Sequence, residues 1–474
     1  MIRLDRERVK SIILFSLVIL SFILTTRIWF FASIEGIFVM EKNNAIENTV
    51  STQFDKSNLL RPHKMVVNTG EKSILELNNN ANYDIYNKLF SEEKKIIKAA
   101  VLTNDKYKVK KLPIEGLDSV RSLKGISLIF SSPLEANAVF TLFDIDNGYY
   151  IGVKNINEII IASTDGRLYL VDEKQNAIYE LRIDGIQNSL NFIINSLEKM
   201  PTISCLFLDK LQPDLISKDV VVPTTLESKG LPVLSGEKEL NVKDNIPESI
   251  ASFFTDDKSS LSIIKNIDGT IEYTDREDQV VKLYTNGMLE YVKYNAQSSG
   301  KNTMNVSDAI NVSIDFINNH FGFPENSYIS DIITSMQGDR FILKFKYSYE
   351  GLPIVLDSNL NSDTIEIEVS GNEVKRYKRA VKKISGEMDY KKVLDFIDIL
   401  DILLDNKVEA LSGEKIKQIN DMYLAYYERS YQEKISYIPV WVVDVTAESS
   451  DKSVVLSQKK RYIINAETGI ILDK

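Results

Sequence analysis

The feature that most constrains this chain is an apolar run near its N-terminus, from Ile12 to Ala32. A helix of about 21 residues is about 30 Å long, which matches the hydrocarbon core of one bilayer. Four basic residues precede the run, whereas Arg27 lies near its end and acidic residues follow. The positive-inside rule therefore predicts a transmembrane helix over residues 11–32, with residues 1–10 in the cytoplasm and the rest outside.

A cleaved signal peptide is the alternative interpretation, because it also combines a basic start with a short apolar stretch. Such a peptide ends in a small-x-small cleavage site. Here Phe30 stands two positions before Ala32, where a small residue is required. An uncleaved, single-pass anchor in the cell membrane is therefore the expectation, with the bulk of the chain extracytoplasmic.

The remaining sequence predicts a multi-lobed ectodomain of the α+β class, with mixed or antiparallel sheets and packed helices. Residues 33–60 are largely polar and aperiodic, which is typical of a linker. Five of the 11 prolines lie between Pro201 and Pro247, which indicates an extended crossing between lobes. The expected domains are an N-terminal one at 61–205, a middle one at 206–299 and a C-terminal one at 300–474.

Hydrophobic periodicity predicts the local elements of these domains. Asp165-Gly166 and Asn286-Gly287 are expected to turn hairpins, because both dipeptides readily supply positive φ. The predicted helices are Tyr83–Ala99, Ile186–Leu197, Glu248–Phe254, Ser307–Asn319 (with Ser307 as N-cap) and Asp389–Leu404. Predicted strands include Gly125–Phe130, Tyr149–Val153, Glu158–Ala162, Arg167–Val171, Val280–Tyr284, Phe341–Tyr349 and Met422–Tyr431.

The C-terminal domain shows an internal repeat. In both 300–385 and 386–474 a helical pattern comes first and strand patterns follow. The Leu-Pro-Ile around Pro353 aligns with the Ile-Pro-Val around Pro439. This shared order predicts two related helix-plus-sheet units.

Composition excludes several classes of chemistry. A net charge of −10 argues against a nucleic-acid groove, which needs clustered Lys and Arg. With one Cys and two distant His, the chain has no thiolate or histidine metal-site spacing and no dithiol redox pair. No catalytic residue, cofactor or metal ligand is predicted.

Short motifs give no stronger indication of catalysis. Ser235 and Ser412 each begin a Ser-x-x-Lys match, but the companion motifs of penicillin-recognising enzymes are missing. The acidic residues Asp395, Asp398, Asp401 and Asp405 share one arc of a predicted helix, which is typical of a solvated face. His63 has no evident partner in the sequence, and His320 is expected to be a helix cap or a half-buried core residue.

The anchor offers candidate interaction residues. In lipid, helices associate through small or polar residues and close packing. Ser21 and Thr25 lie one turn apart on a face that Leu14 and Leu17 extend, and Trp29 lies at interface depth. These five residues are the predicted contact face for another membrane helix.

Several segments together resemble the YycH family of two-component-system regulatory proteins, and the C-terminal ones also resemble its sister family YycI. The N-terminal segments are Lys10-Ser11-Ile12-Ile13-Leu14, Leu20-Ser21, Leu24-Thr25, Ile28-Trp29 and Arg61-Pro62-His63-Lys64-Met65-Val66. The later ones are Phe253-Phe254-Thr255-Asp256, Tyr273-Thr274-Asp275, Leu289-Glu290-Tyr291, Ile438-Pro439-Val440-Trp441 and Ile464-Asn465-Ala466-Glu467-Thr468-Gly469. The resemblance spans essentially the whole chain.

This resemblance implies a non-enzymatic accessory regulator of a sensor histidine kinase that controls cell-wall metabolism. It implies action beside a YycI-like membrane protein, through contacts that include the transmembrane helices. Only the anchor, Ile12–Trp29, can be mapped onto the family in this way. The alternatives are a membrane-anchored ligand- or peptide-binding ectodomain and a tethered Ser hydrolase.

Overall fold

The computed structural model describes residues 55–76, 83–104, 108–145, 151–183, 187–197, 202–224, 230–240, 246–254, 261–294, 304–357, 364–405, 414–431, 434–449 and 457–473. All of them belong to one unit, Asp55–Lys474. In these ranges no helix has the length and apolar character needed to cross a membrane. The predicted transmembrane helix at 11–32 lies outside the described residues.

The first half of the unit is built on one antiparallel sheet. Its strands are β1 Lys64–Asn68, β2 Ser73–Glu76, β3 Lys110–Pro113, β4 Gly125–Glu135, β5 Asn155–Ala162, β6 Arg167–Asp172, β7 Ala177–Arg182, β8 Ile203–Phe207 and β9 Val221–Pro223. The helices that accompany it are α1 Tyr83–Thr103, α2 Leu117–Arg121, α3 Ala136–Leu142 and α4 Gln187–Leu197. The strand order is β3-β7-β6-β5-β4-β1-β2-β8-β9.

The second half is built on a larger sheet. Its strands begin with β10 Leu231–Lys238, β11 Ser262–Lys265, β12 Ile271–Thr274, β13 Gln279–Leu283, β14 Met288–Lys293, β15 Ser327–Thr334, β16 Arg340–Tyr349 and β17 Leu352–Val355. They continue with β18 Ile365–Ser370, β19 Glu373–Ala380, β20 Lys382–Lys391, β21 Glu414–Tyr431, β22 Lys434–Ser449, β23 Ser457–Asn465 and β24 Ile471–Asp473. The helices are α5 Glu248–Ala251, α6 Val306–Asn319 and α7 Phe396–Leu404.

The long hairpin of β21 and β22 organises this second sheet. β22 pairs with β21, β23 and β10, and β10 pairs in turn with β20. Trp441 on β22 is fully buried, and its indole Nε1 donates a hydrogen bond to the carbonyl oxygen of Leu394 at 3.0 Å. The hairpin therefore holds both the sheet and the segment that leads into α7.

The hydrophobic cores do not stop between the two halves. One cluster of buried side chains runs from Leu59 and β1 through α3 and α6 to Val381. A second cluster surrounds Trp441 and includes Leu208 and Ile216, which follow β8. The observed class is α+β with large antiparallel sheets, as predicted, and the proposed domain limits stay a prediction.

In the C-terminal region a helix precedes a group of antiparallel strands twice, and the predicted relation between the two units stays a prediction. α6 is followed by the antiparallel neighbours β15, β16, β18 and β19, and α7 is followed by β21, β22, β23 and β24. The two aligned prolines occupy different places, because Pro353 lies in the short β17 and Pro439 in the long β22.

Three local predictions were wrong. Residues 389–391 belong to β20, so the helix predicted from Asp389 begins only at Phe396, because pairing with β10 extends the strand. The described part of the predicted strand Tyr149–Val153, residues 151–153, is not a strand. The N-cap of α6 is Asn305, whose side chain accepts a hydrogen bond from the amide of Asp308, and Ser307 lies inside the helix.

Gly125 tests how tightly the first sheet is packed. A Cβ at this position would collide with the carbonyl oxygen of Ile161 on the neighbouring strand. We expect Gly125→Ala to lower the free energy of unfolding by about 3 kcal/mol, because the strands would have to separate. Gly116→Ala is the control, since nothing lies within 4 Å of its Cβ position, and should change stability by less than about 1 kcal/mol. Equal denaturant midpoints for the two variants would contradict this account.

Candidate functional site

A carboxylate of β21 meets two cationic or polar side chains from the start of β1. Lys64 Nζ donates a hydrogen bond to Asp421 Oδ1, and His63 Nε2 lies 3.1 Å from Asp421 Oδ2. Lys64 Nζ also donates to the carbonyl oxygen of Met422 at 3.2 Å. We call His63, Lys64 and Asp421 the junction, because they connect the two sheets.

A β-bulge places Asp421 at this position. The register of β21 against β22 shifts between Ile419 and Asp421, so Asn420 has no partner of its own in the ladder. A bulge bends its strand and changes the direction of the side chains beside it. Asp421 thereby reaches β1, while Ile419 bridges to Ile216 in the segment after β8.

The junction is largely shielded from solvent. The side chains of His63 and Lys64 are each 5% exposed, and that of Asp421 is 24% exposed. The ring of Tyr423 packs edge-on against the His63 imidazole, with 4.4 Å between centroids. Burial of this kind makes electrostatic pairing stronger and also makes an unpaired charge costly.

The protonation states follow from these contacts. Burial would raise the pKa of Asp421, but the Lys64 ammonium and the hydrogen bond from His63 hold this pKa well below its usual range. Burial lowers the pKa of His63 more than the hydrogen bond to Asp421 raises it. At neutral pH the Asp421 carboxylate is therefore ionised, and His63 is a neutral imidazole that donates from Nε2.

A second charged cluster lies on the same face of the first sheet as Lys64, two strands away. Arg121 of α2 donates to Glu158 of β5 through Nε at 3.0 Å and Nη2 at 2.5 Å. The same Nη2 lies 2.5 Å from Asp219, and Nη1 donates to the carbonyl oxygen of Lys218 at 2.8 Å. The guanidinium thus connects the sheet to the segment between β8 and β9.

A third pair joins β20 to β21. Lys382 Nζ lies 2.5 Å from Glu428 Oε1, and both side chains are only 1% exposed. All three clusters hold together segments that are far apart in sequence, and each contains at least one ion pair within the protein. Such arrangements orient backbone segments. In the described ranges no group of three or more His, Cys, Asp or Glu side chains is placed to hold a metal ion.

A polar groove of about 760 Å³ lies beside the junction. Its lining includes Asp421 and Asp444, together with Lys459, Lys460 and Arg461 of β23. Arg461 makes a two-point hydrogen bond to Asp444, at 2.7 and 2.9 Å. A volume of this size is within the range of ligand-binding clefts.

The sequence-predicted residues fall into two groups. The predicted interaction face (Leu14, Leu17, Ser21, Thr25 and Trp29) lies outside the described residues, as does Ser412. Ser235 lies on β10, where its hydroxyl donates to the carbonyl oxygen of Gly386 at 3.1 Å.

The α7 acidic residues and His320 can be placed directly. Asp395, Asp398, Asp401 and Asp405 are exposed, as predicted for a solvated face. Ile397 and Leu404, which the helical pattern places on the apolar side, are 57% and 43% exposed. His320 is the half-buried C-cap of α6, stacked between Phe253 and Phe316.

Sequence reasoning missed the junction. The sequence shows no partner for His63, because its partner in the structure, Asp421, stands 358 residues further along the chain. A short-range pattern contains no information about such a contact. The one available signal was the conspicuous Arg61-Pro62-His63-Lys64 segment, which carried the family resemblance without indicating its structural role.

Comparisons with known proteins point in one direction. A model described as YycH protein, N-terminal domain, matches residues 7–200, and one described as YycH protein, C-terminal domain, matches residues 247–459. No curated protein sequence matches the chain.

Two solved structures are similar to the chain. The crystal structure of YycH from Bacillus subtilis has a TM-score of 0.54 and 16% sequence identity, covering 85% of this chain and 99% of that one. An uncharacterized protein from Eubacterium rectale has a TM-score of 0.38 and 11% identity, covering 54% of this chain and 92% of that one. The first likeness shows a shared fold.

Asp421→Asn tests the junction. The substitution leaves the Lys64 ammonium buried without its counter-charge, so we expect the free energy of unfolding to fall by about 3–5 kcal/mol. Asp444→Asn is the matched control, because Asp444 lies directly opposite Asp421 in the hairpin register. Its ion pair with Arg461, in contrast, is partly exposed. It should cost about 1 kcal/mol or less. Urea denaturation measures both.

Acid titration supplies the second readout. The lowered pKa of Asp421 contributes stability above its usual value of 3.8, and this contribution is lost as the pH falls below that value. Asp421→Asn should remove this part of the acid sensitivity, and Asp444→Asn should keep it. An Asp421→Asn protein as stable as wild type, with the same acid sensitivity, would contradict the assigned role.

Proposed function

Because the chain belongs to the YycH family of two-component-system regulatory proteins, we propose that it regulates a sensor histidine kinase by contact rather than by catalysis. In this proposal residues 11–32 anchor the chain in the cell membrane and the bulk of it is extracytoplasmic. A YycI-like membrane protein acts beside it on a kinase that controls cell-wall metabolism. The observation that carries the proposal is the pair of family models, which together cover most of the chain.

The charge clusters of the structure support a contact mechanism. Asp421, Glu158 and Lys382 each have a counter-charge inside the protein. Residues used in this way stiffen a scaffold. A stiff ectodomain can impose a position on the membrane helix that precedes it, which is a mechanical rather than a chemical role.

The anchor would act by differential binding. A helix bound beside a kinase helix shifts the kinase between two states only if it binds one state more tightly. In lipid, this preference depends on close packing and on interhelical hydrogen bonds. Ser21 and Thr25, one turn apart on the predicted face, are the residues suited to that contact.

A pair of serine substitutions tests the anchor. We expect Ser21→Leu to weaken association with the kinase in a membrane two-hybrid assay, because it removes a small polar residue from the contact face. Ser16→Leu is the matched control, since in a helix Ser16 would point about 140° away from Ser21. Replacement of Ile12–Trp29 by an unrelated transmembrane helix should abolish association. Undiminished association after that replacement would move the contact to the ectodomain.

A ligand-binding ectodomain is the second candidate, and the groove beside the junction favours it. Lys459 and Lys460 suit an acidic peptide, although Asp421 and Asp444 are also part of the lining. The remaining alternative is a tethered Ser hydrolase, which would need an activating base beside Ser235. The Ser235 hydroxyl instead donates to a backbone carbonyl oxygen.

The groove can be tested with a labelled oligo-glutamate peptide. If it binds acidic peptides, the joint change of Lys459 and Lys460 to Gln should weaken binding by roughly tenfold, the equivalent of about 1.4 kcal/mol. Lys417→Gln is the control, because Lys417 is an exposed lysine of the same sheet that pairs with Glu448. Equal affinities for the three proteins would exclude this groove as the binding site.

A further inference from the structure

A small, partly open cavity lies next to the junction and shares His63 with it. Its volume is about 30 Å³, and its lining includes Arg61, His63, Glu76, Tyr86 and Tyr328. These residues come from the segment before β1, from β2, from α1 and from β15. The cavity therefore lies where the first sheet meets the second.

Several polar atoms around this cavity have no protein partner. Both carboxyl oxygens of Glu76, which is only 3% exposed, lack a hydrogen bond within the described part of the chain. The same holds for Nε and Nη1 of Arg61 and for Nδ1 of His63. Buried polar groups in native proteins are satisfied by protein or by ordered water, so each of these atoms needs a partner.

The mixture of donors and acceptors decides what can fill the cavity. The Arg61 guanidinium presents N–H donors, while the Glu76 carboxyl group and the neutral His63 present acceptors. A bound cation would face the charge of Arg61, and a bound anion would face the carboxyl group. Water both donates and accepts, and a water molecule needs about 10–15 Å³ of such volume, so about two fit.

We propose that this cavity binds about two water molecules, which bridge the Arg61 guanidinium and the Glu76 carboxyl group and let that carboxyl group exchange its proton. The site is formed by residues from four separate elements. It hydrates the contact between the two sheets at a point where a direct ion pair between Arg61 and Glu76 is not made.

A second buried carboxyl group provides an internal comparison. Glu93 lies on α1 two turns after Tyr86, is fully buried, and has both carboxyl oxygens unpartnered within the described ranges. It does not line the cavity. Burial raises the pKa of Glu76 to about 7 and that of Glu93 to about 8, so both groups hold protons at mildly acidic pH.

The other titratable groups around the cavity come from the segment before β1, from α1 and from β15. The Arg61 guanidinium carbon lies 5.9 Å from the Tyr86 ring centroid, and Tyr86 also senses the charges of Glu76 and Glu93. His63 and Tyr328 complete the set. His63 is neutral at pH 7, and burial raises the pKa of Tyr86 above its ordinary value. The carboxyl groups of Glu76 and Glu93 are therefore the ones that titrate near neutrality.

The first experiment is a high-resolution crystal structure of the full-length chain in detergent, together with its Glu76→Gln and Glu93→Gln variants. We expect density for about two waters between Arg61 and Glu76 in the wild type, and the same waters in Glu93→Gln. A dry cavity, or a direct contact between the Arg61 guanidinium and Glu76, would overturn the proposal.

The second experiment measures unfolding of the full-length chain between about pH 5 and about pH 8. Folded Glu76 keeps a proton that the unfolded chain releases, so the unfolding equilibrium constant should rise with pH, by up to about tenfold per unit. Glu76→Gln should lose this contribution. Glu92→Gln should keep it, because Glu92 is paired with Lys95 at the surface.

A Glu76→Gln protein with the same pH dependence as wild type would contradict proton uptake at this site. If Glu76→Gln fails to fold, infrared difference spectra of the wild type and of Glu76→Asp between the same pH values decide, since the band that differs between these two proteins belongs to the carboxyl group at position 76. The spectra should show the carbonyl stretch of a protonated carboxyl group disappear as the pH rises, with a deuterium shift that reports exchange. The absence of such a band at the acidic end would reject the proposal.

Discussion

The arrangement of the two sheets depends on the largely buried negative charge of Asp421. A buried carboxylate is tolerated only when cations and hydrogen-bond donors surround it. Lys64 and His63 provide these groups, and they come from the first sheet, whereas Asp421 belongs to the central hairpin of the second. Because neither sheet supplies both sides of the interaction, the charge is matched only when the two sheets are correctly placed against each other.

The same principle recurs at the other charged clusters. Arg121 joins α2 to Glu158 of β5 and to the segment between β8 and β9, and Lys382 joins β20 to Glu428 of β21. Removing one partner of a buried ion pair is strongly destabilising. A fold that separated the partners of any of these clusters would therefore be much less stable. The result is a scaffold in which the strongest electrostatic interactions hold the molecule together, as suits a member of a regulatory family.

Local elements followed from sequence where local physics determines them. The helix at Tyr83–Thr103 and the hairpin between β5 and β6 agree with their hydrophobic periodicity and with the Asp165-Gly166 turn. The helix prediction failed at residues 389–391. The predicted helix starts at Asp389 and continues into α7, but the backbone at this point pairs with β10. Strand formation there is decided by a partner about 160 residues away, since Lys391 pairs with Leu231, and strand propensity depends strongly on such context.

The sequence by itself determined the candidate anchor at residues 11–32, the α+β class, the principal turns and the family. These properties depend on composition and on short spacings, which the chain carries whatever its tertiary structure. Only the tertiary structure decided the role of His63, the pairing of Lys64 with Asp421, and the small cavity that Arg61 and Glu76 line together with Tyr328. Each of these features forms only where the two sheets meet. The residues that the second sheet contributes lie too far along the chain from those of the first sheet for a periodic pattern to predict the contact.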